Sequence, residues 1–594
     1  MAPGLTSPSP DSAAAVRTVF LDGCGLSGAW AGAPQWRILA TGFGSGLGFL
    51  CTWEAWRRDT ARCGLLHVVA ITPAPLTTEA LRRAAEGDAT LAPLADRLAA
   101  EGDGLLPGVH RLAFDDGRVL LTLCVGPVEA MLRALQRFDA DSIYLDGTGT
   151  AVESIATVAR FARRGTHLAC DSAAPAVSAA LTQQGFAVQV DADSPGTAGR
   201  LTARFTPAWE PRRPPRPGDA PCAGVPGHCA VVGAGIAGAA LAASLARRGW
   251  QVTVLDAAAA PATGASGAPA ALWAPHVSPD DALLSRLTRA GLRITRSELR
   301  AWLTEGVDWQ GDGVLERRMP DDRLPAGWTA DAGAPSSPAD AGALARAGLS
   351  SDTPAWQHRA AGWVRPAALV QAWLSRPGVW FQGGCTVAQV RRDGAVWQLC
   401  DAAGTVRCTA DRVIFAGGVG NRALAPGLPL HAVRGQLAWG RMAVATAALP
   451  ALAVNGDGHW VGGVPAADGP RWVSGATFGR GDDRCDLRSD DTCANRERLE
   501  RLLPGAAAAL ATAFDAGRVE AWAGVRCTAA DRRPLVGPVD PAAPDGPWVV
   551  AALGSRGLSF AALCAELLTA RWHNEPLPLP ARLAAALDTA RLRR

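Results

Sequence analysis

The sequence predicts an α/β protein: two nucleotide-binding-type sheets in series, the second split by an inserted mixed region. Over residues 36–190, apolar strand segments alternate with helical ones, the pattern of a mostly parallel sheet with helices on both faces. Residues 229–256 make one complete βαβ unit, from Cys229-Ala-Val-Val through Gly233-Ala-Gly-Ile-Ala-Gly238 to Val252-Thr-Val-Leu-Asp256. Near the far end, Trp548-Val-Val-Ala-Ala-Leu553 runs into Gly554-Ser-Arg-Gly-Leu558, a second strand and glycine turn leading into a helix. A length of 594 residues fits two or three such cores.

Taken in order, 36–41 is a strand that enters Gly42-Phe-Gly-Ser-Gly-Leu-Gly48 and a helix over 49–58. Strands follow at 65–71 and 118–125, then a helix over 128–137 and a strand at 142–145 ending at Asp146-Gly147. A helix over 152–163, a strand at 167–170, a helix over 173–184 and a strand at 186–190 complete the first sheet. Residues 206–228 are proline-rich and carry Arg212, Arg213 and Arg216; such a stretch suits neither sheet nor helix and reads as an extended linker of solvated charge. Beyond Asp256, Gly264-Ala-Ser-Gly267 is a small-residue turn and 281–304 a long amphipathic helix. Strands and turns mix over 306–406, and Val413-Ile-Phe-Ala-Gly-Gly418 again runs an apolar strand into glycines. Residues 472–478, 522–527 and 548–553 read as strands, and 560–572 as a helix.

Composition narrows the chemistry. With 48% hydrophobic and 19% charged residues the chain reads as soluble and globular, and a net charge of +3 announces no general affinity for polyanions. Every basic residue is arginine, which excludes Schiff-base chemistry on lysine and leaves phosphate or carboxylate contacts to guanidinium and backbone N–H groups. The 14 Cys form no C-x-x-C pair and the nine His stand at no zinc-ligand spacing. The cysteines therefore read as buried small hydrophobes in a reducing compartment, and no metal is expected. With neither an apolar leader nor an apolar span, a cytoplasmic monomer away from membranes is expected.

The glycine turns carry the functional signal. Gly233, Gly235 and Gly238, with Ala234 and Ala237 between them, let the backbone approach a pyrophosphate at a helix N-terminus, and Asp256 stands where a ribose hydroxyl would be bound. A second turn at Gly554, Ser555, Arg556, Gly557 and Leu558 aims another helix N-terminus at negative charge near a flavin ring, so two turns favour FAD over NAD. The alternative for each is an ordinary glycine turn or surface loop, which the flanking strands, and for the first turn the acid at Asp256, disfavour. Arg526, in Gly524-Val-Arg-Cys-Thr-Ala-Ala-Asp531, follows a strand and precedes a loop of the kind that faces a pocket, where its fork suits a substrate carboxylate; on spacing alone an exposed arginine is the better reading.

Residues 231–256 and 264–267, including Ser266 and Gly267, together with Val525-Arg526, 531–537 and 554–558, resemble the D-amino-acid oxidase, glycine oxidase and sarcosine oxidase group of flavoenzymes. In that group an arginine at the position of Arg526 clamps the amino-acid carboxylate. Nearly the whole chain, from about Thr18, resembles the MnmC family of bifunctional tRNA 5-methylaminomethyl-2-thiouridine biosynthesis proteins. The carriers are His431-Ala-Val-Arg-Gly-Gln436, Gly475-Ala-Thr-Phe478, Leu553-Gly-Ser-Arg-Gly-Leu558, and Val19-Phe-Leu-Asp-Gly-Cys-Gly-Leu26 with Trp30. The resemblance implies a Rossmann-like class I methyltransferase sheet over 1–205, a linker over 206–228 and a D-amino-acid-oxidase-like half over 229–594. In that half a FAD-binding Rossmann domain (229–305, 405–425, 525–594) would carry an inserted α+β substrate domain (306–404, 426–524).

The family's flavin half removes the carboxymethyl group from 5-carboxymethylaminomethyl-2-thiouridine at the tRNA wobble position, and its first half methylates the new amine with S-adenosylmethionine. In the first half Gly42, Gly44 and Gly46 match the family's glycine loop and Asp146 an aspartate near the amine. Elsewhere that half departs from the pattern. Thr72 stands where the family has a glutamate for the ribose, Gly126-Pro127 replaces Gly-Asp, and the loop after Asp146 is shortened. The expectation is a retained fold with weak or absent methyl transfer. A free glycine or sarcosine oxidase, and a tRNA-binding scaffold with structural flavin, are the competing readings.

Overall fold

The computed structural model describes residues 12–593, apart from 76, 103, 148, 192–198, 210–224, 320–321, 326–334 and 443–448. Most of the predicted linker, with Arg212, Arg213 and Arg216, lies outside the described residues. By contact the chain divides into two units: residues 1–222 with 570–584, and residues 223–569 with 585–594.

In the first unit, eight strands form one sheet: β1 (Gln35–Ala40), β2 (Leu65–Thr72), β3 (Gly108–Phe114), β4 (Val119–Val125), β5 (Ala140–Leu145), β6 (Ala162–Cys170), β7 (Phe186–Asp191) and β8 (Arg200–Phe205). Their order is β3-β4-β2-β1-β5-β6-β8-β7, parallel from β4 to β6 and antiparallel where β3 meets β4 and where β8 meets β6 and β7. Burial explains the parallel centre. β2, β4 and β5 are buried at every residue, as strands covered on both faces must be, and their near-continuous apolar runs supply the cover. Helix Leu47–Arg58 packs one face with Trp53 and Trp56, whose indole N–H groups donate to Asp115 (2.8 Å) and the Cys63 carbonyl (2.9 Å).

Three features differ from the sequence reading. The helix over 152–163 is only a short turn and Ile155–Ala159, because Ala162 onward pairs with β5 and is drawn into β6. The antiparallel strands β3 and β8 went unread, since both carry alternating rather than continuous apolar residues. Residues Ala570–Ala584 group with this unit. There the carbonyls of His573 and Asn574 accept from Gln35 and Arg37 at 2.8 and 3.0 Å, and Asn574 donates to Asp139 at 2.9 Å.

The second unit begins with β9 (His228–Val232) and β10 (Gln251–Leu255), which pair in parallel. They sit in a six-stranded sheet between Val379–Gln382 and Arg412–Phe415, followed by Trp548–Ala551 and an antiparallel edge, Leu535–Pro538. A separate larger sheet is centred on the long strand His431–Arg441, which pairs antiparallel with Arg471–Gly475 on one side and Glu520–Thr528 on the other. Its buried Trp460 and Trp472 stack with ring centroids 5.9 Å apart and anchor this inserted region. The predicted helix over 281–304 is Leu283–Trp302, and the last long helix is Gly557–Trp572. Among the described residues no helix is long and apolar enough to cross a membrane.

Candidate active site

The first glycine turn is built by sterics. A Cβ on Gly238 would lie 1.8 Å from the Gly233 carbonyl oxygen, and one on Gly233 would lie 2.6 Å from the Gly417 backbone, so strand, turn and helix pack here at backbone contact. Gly233 also has φ +113, which side-chain-bearing residues avoid. Gly235 caps the eleven-residue helix Ile236–Ala246. Ser266, from the small-residue turn, reaches over that helix end and accepts from Ile236 N at 2.9 Å, while Gly267 packs tightly on the Ala262 carbonyl. Asp256, one residue past β10, accepts from Ala234 N (2.7 Å) and Ala258 N (2.8 Å), so its carboxylate is fixed at the strand end.

The late turn arrives at the same place. Gly554, at φ +61, opens the turn Gly554–Arg556, and Gly557 begins the sixteen-residue helix. A Cβ on Gly557 would lie 3.4 Å from Ile236, so the two helix N-termini converge. Around them lies a cavity of about 730 Å³ lined by Gly233, Gly235, Ala237, Asp256, Ser266 and all of Gly554 to Leu558. Of the residues singled out in this half, Ala234, Gly238 and Gly267 stand behind the wall as support. Two facing helix ends, glycines that admit no side chain and an acid at the second strand end form a donor set that fits FAD.

Arg526 lines the same cavity from Glu520–Thr528. It pairs across to Val433, and its guanidinium lies over Gly435, where a Cβ would come within 2.3 Å of Nη1; the absence of that Cβ makes the room. Nη1 donates to the Thr477 carbonyl at 3.4 Å and the guanidinium sits 4.7 Å from the Phe478 ring centroid. No carboxylate pairs with it among the described residues, and burial pulls its pKa down to about 10, so it stays charged at neutral pH. The cavity's acids are engaged elsewhere: Glu316 with His358 and Arg318, and Asp457 with Arg498 and Arg501. Arg434 of the His431-Ala-Val-Arg-Gly-Gln motif is structural, buried against Asp491 and donating to Gln436 Oε1 at 2.9 Å.

Sequence reasoning missed His459, which also lines the cavity. Its Nε2 is shielded and has no hydrogen-bond partner among the described residues, and burial, reinforced by the Arg526 charge, lowers its pKa to about 4, so the ring is neutral at physiological pH. No local motif marks it. It joins the site through cross-strand pairing with Gly475, on the next strand of the sheet.

The first unit brings Gly42 and Asp146 together: a Cβ on Gly42 would meet Asp146 Oδ2 at 2.4 Å. Gly44 (φ +54) and Gly46 (φ +88) make the turn into the Leu47 helix. Asp146 N donates to Thr41 Oγ1 (3.0 Å) and its Oδ1 accepts from Gly149 N (2.7 Å), which folds the carboxylate onto its own loop. At the end of β2, Thr72 spends its hydroxyl on the Ala74 carbonyl (2.7 Å), and β4 runs out into Gly126-Pro127. Neither β2 nor β4 runs out into an acid that could meet the ribose of S-adenosylmethionine.

A FAD-dependent oxidoreductase joined to a methyltransferase-type unit is the class that fold and site define. The family model of FAD dependent oxidoreductases matches residues 228–571, and that of an S-adenosyl-L-methionine-dependent methyltransferase matches residues 90–204. The chain is 48% identical to the tRNA 5-methylaminomethyl-2-thiouridine biosynthesis bifunctional protein MnmC of Polaromonas naphthalenivorans, over 96% of this chain and 92% of that one. It is 50% identical to the protein of the same name from Paracidovorax citrulli, over 98% of this chain and 95% of that one. A crystal structure of glycine oxidase from Geobacillus kaustophilus aligns with a TM-score of 0.49 at 22% identity, covering 60% of this chain and 97% of that chain. The chain belongs to the MnmC family of bifunctional tRNA-modifying enzymes. The two family models imply FAD for the second half and S-adenosylmethionine for the first.

Proposed function

We propose that this chain removes the carboxymethyl group from 5-carboxymethylaminomethyl-2-thiouridine at the tRNA wobble position, leaving 5-aminomethyl-2-thiouridine. Arg526 carries this reading: a half-buried guanidinium without an acidic partner among the described residues, on the wall of the cavity where two glycine turns meet. The substrate is a glycine bearing a nucleoside on nitrogen, and its carboxylate suits a guanidinium fork through two parallel hydrogen bonds. Gly233, Ala234, Gly235, Ala237 and Gly238 would hold the pyrophosphate, flanked by Ser266 and Gly267, with Asp256 at the ribose. Gly554, Ser555, Arg556, Gly557 and Leu558 would present the second helix end to the ring system. Bound FAD supplies the hydride acceptor for the glycyl CH2, and the resulting imine hydrolyses to glyoxylate and the primary amine. No side-chain base is needed once the amine is neutral, so positioning by Arg526 carries much of the rate.

An Arg526→Gln variant of the holoenzyme tests this. Losing a charge-assisted bidentate contact costs about 3 kcal/mol, so flavin reduction by the modified tRNA should slow roughly a hundredfold while FAD stays bound. An unchanged reduction rate contradicts the assignment.

For the first unit we propose a retained methyltransferase fold with weak or absent methyl transfer, Gly42, Gly44, Gly46 and Asp146 being what remains of the site. Each missing hydrogen-bonding acid removes about 1–3 kcal/mol from a buried site, so two removals weaken cofactor binding by orders of magnitude. The unit then serves to dock tRNA, in a monomer working in the cytoplasm. Titration calorimetry with S-adenosylmethionine checks the weakness; micromolar or tighter binding would refute it.

A further inference from the structure

We propose that Phe478 is the platform on which the pyrimidine of the everted wobble nucleoside stacks while its glycine-like arm reaches Arg526. This rests on the reading of the oxidative half given above. Among the described residues lining the cavity, Phe478 is the one large hydrophobic side chain that stands exposed, at 56% of its surface. An isolated exposed apolar residue needs no explanation by itself. This one lies at the mouth of a substrate cavity and is held in place.

The hold comes from three sides. Thr477, just before it, donates N–H to the Gln436 carbonyl at 3.1 Å and accepts from Gln436 N at 3.1 Å through its hydroxyl. Gly479, just after it, pairs with Arg434 of the central strand. The Arg526 guanidinium lies 4.7 Å from the ring centroid, so part of the ring is braced by the cation that takes the carboxylate. A fixed, exposed aromatic loses little freedom when a flat partner stacks on it.

Distance supports the match. Four bonds separate the substrate's carboxylate carbon from pyrimidine C5, about 5 Å, and a forked carboxylate stands about 4 Å from the guanidinium carbon, so the pyrimidine lies within about 9 Å of that carbon. Phe478 falls inside that radius. A base must leave its stack to enter a cavity of this kind, and enzymes that evert bases commonly receive them on aromatic faces.

The test uses the FAD-loaded full chain and two reductants: tRNA bearing 5-carboxymethylaminomethyl-2-thiouridine, and N-methylglycine, which has the carboxylate and secondary amine but no base. Stacking is lost on Phe478→Ala and on Phe478→Leu, which keeps apolar cover over Arg526; each should raise KM for the tRNA roughly tenfold or more beyond any change for N-methylglycine. Phe478→Trp should restore the ratio. Equal losses for both reductants, or wild-type values in the Ala and Leu variants, overturn the inference alone. A wild-type holoenzyme that this tRNA does not reduce overturns the functional reading and this inference with it.

Discussion

Both units run a parallel strand into glycines and then into a helix, and they part company at the end of the next strand. In the second unit β10 delivers Asp256, held by Ala234 N and Ala258 N; in the first, β2 delivers Thr72, whose hydroxyl turns to the Ala74 carbonyl. In the first unit Asp146 is folded onto Gly42 and Gly149, whereas in the second Arg526 lines the cavity with no carboxylate paired to it among the described residues. A glycine turn shapes a place for a nucleotide in either sheet. On the proposal above, the polar group at the neighbouring strand end decides whether the place is competent.

The sharpest break of this comparison is steric. Gly238→Val should cost several kcal/mol and give colourless, poorly folded protein, because its Cβ would lie 1.8 Å from a carbonyl oxygen. Gly44→Ala in the first unit has nothing within 4 Å to strike and should cost only about 1–2 kcal/mol of backbone strain, with flavin retained. Equal behaviour of the two variants in thermal unfolding and absorbance at the flavin band would erase the contrast. Next, Asp256→Ala strands two backbone donors and should weaken FAD by about 1–3 kcal/mol, roughly fivefold to a hundredfold in Kd, while Thr72→Ala leaves flavin content and turnover unchanged.

A third effect is in pH. His459 titrates near 6.5 when unfolded and is pushed down to about 4 in the fold, so the unfolded chain takes up the proton first as pH falls. Its contribution to stability is whole above pH 6.5 and is lost progressively toward pH 4. His459→Gln should flatten denaturant midpoints across that window, and an unaltered pH slope would show that the ring is not held neutral.

What could be read in the sequence was what lies close together along it. Gly233 to Gly238, Asp256 and Gly554 to Leu558 are contiguous signals, each a strand end and a turn, and both turns line the one cavity. Arg526 could be named because its strand runs into a turn-rich loop and because of the family resemblance. His459, Gly435 and the placement of Phe478 could not, because they meet Arg526 through cross-strand registers that join 431–441 with 471–475 and 520–528. Antiparallel strands such as Arg200–Phe205 were lost for a related reason: half-buried alternation is a weaker signal than the unbroken apolar run of β2.

The central claim is that oxidation is intact and methylation is not. Nucleoside mass spectrometry of tRNA bearing 5-carboxymethylaminomethyl-2-thiouridine, incubated with the FAD-loaded protein and S-adenosylmethionine, tests it directly. The account predicts that 5-aminomethyl-2-thiouridine accumulates with release of glyoxylate. Unconverted starting nucleoside, or 5-methylaminomethyl-2-thiouridine formed at an ordinary enzymatic rate, would contradict it.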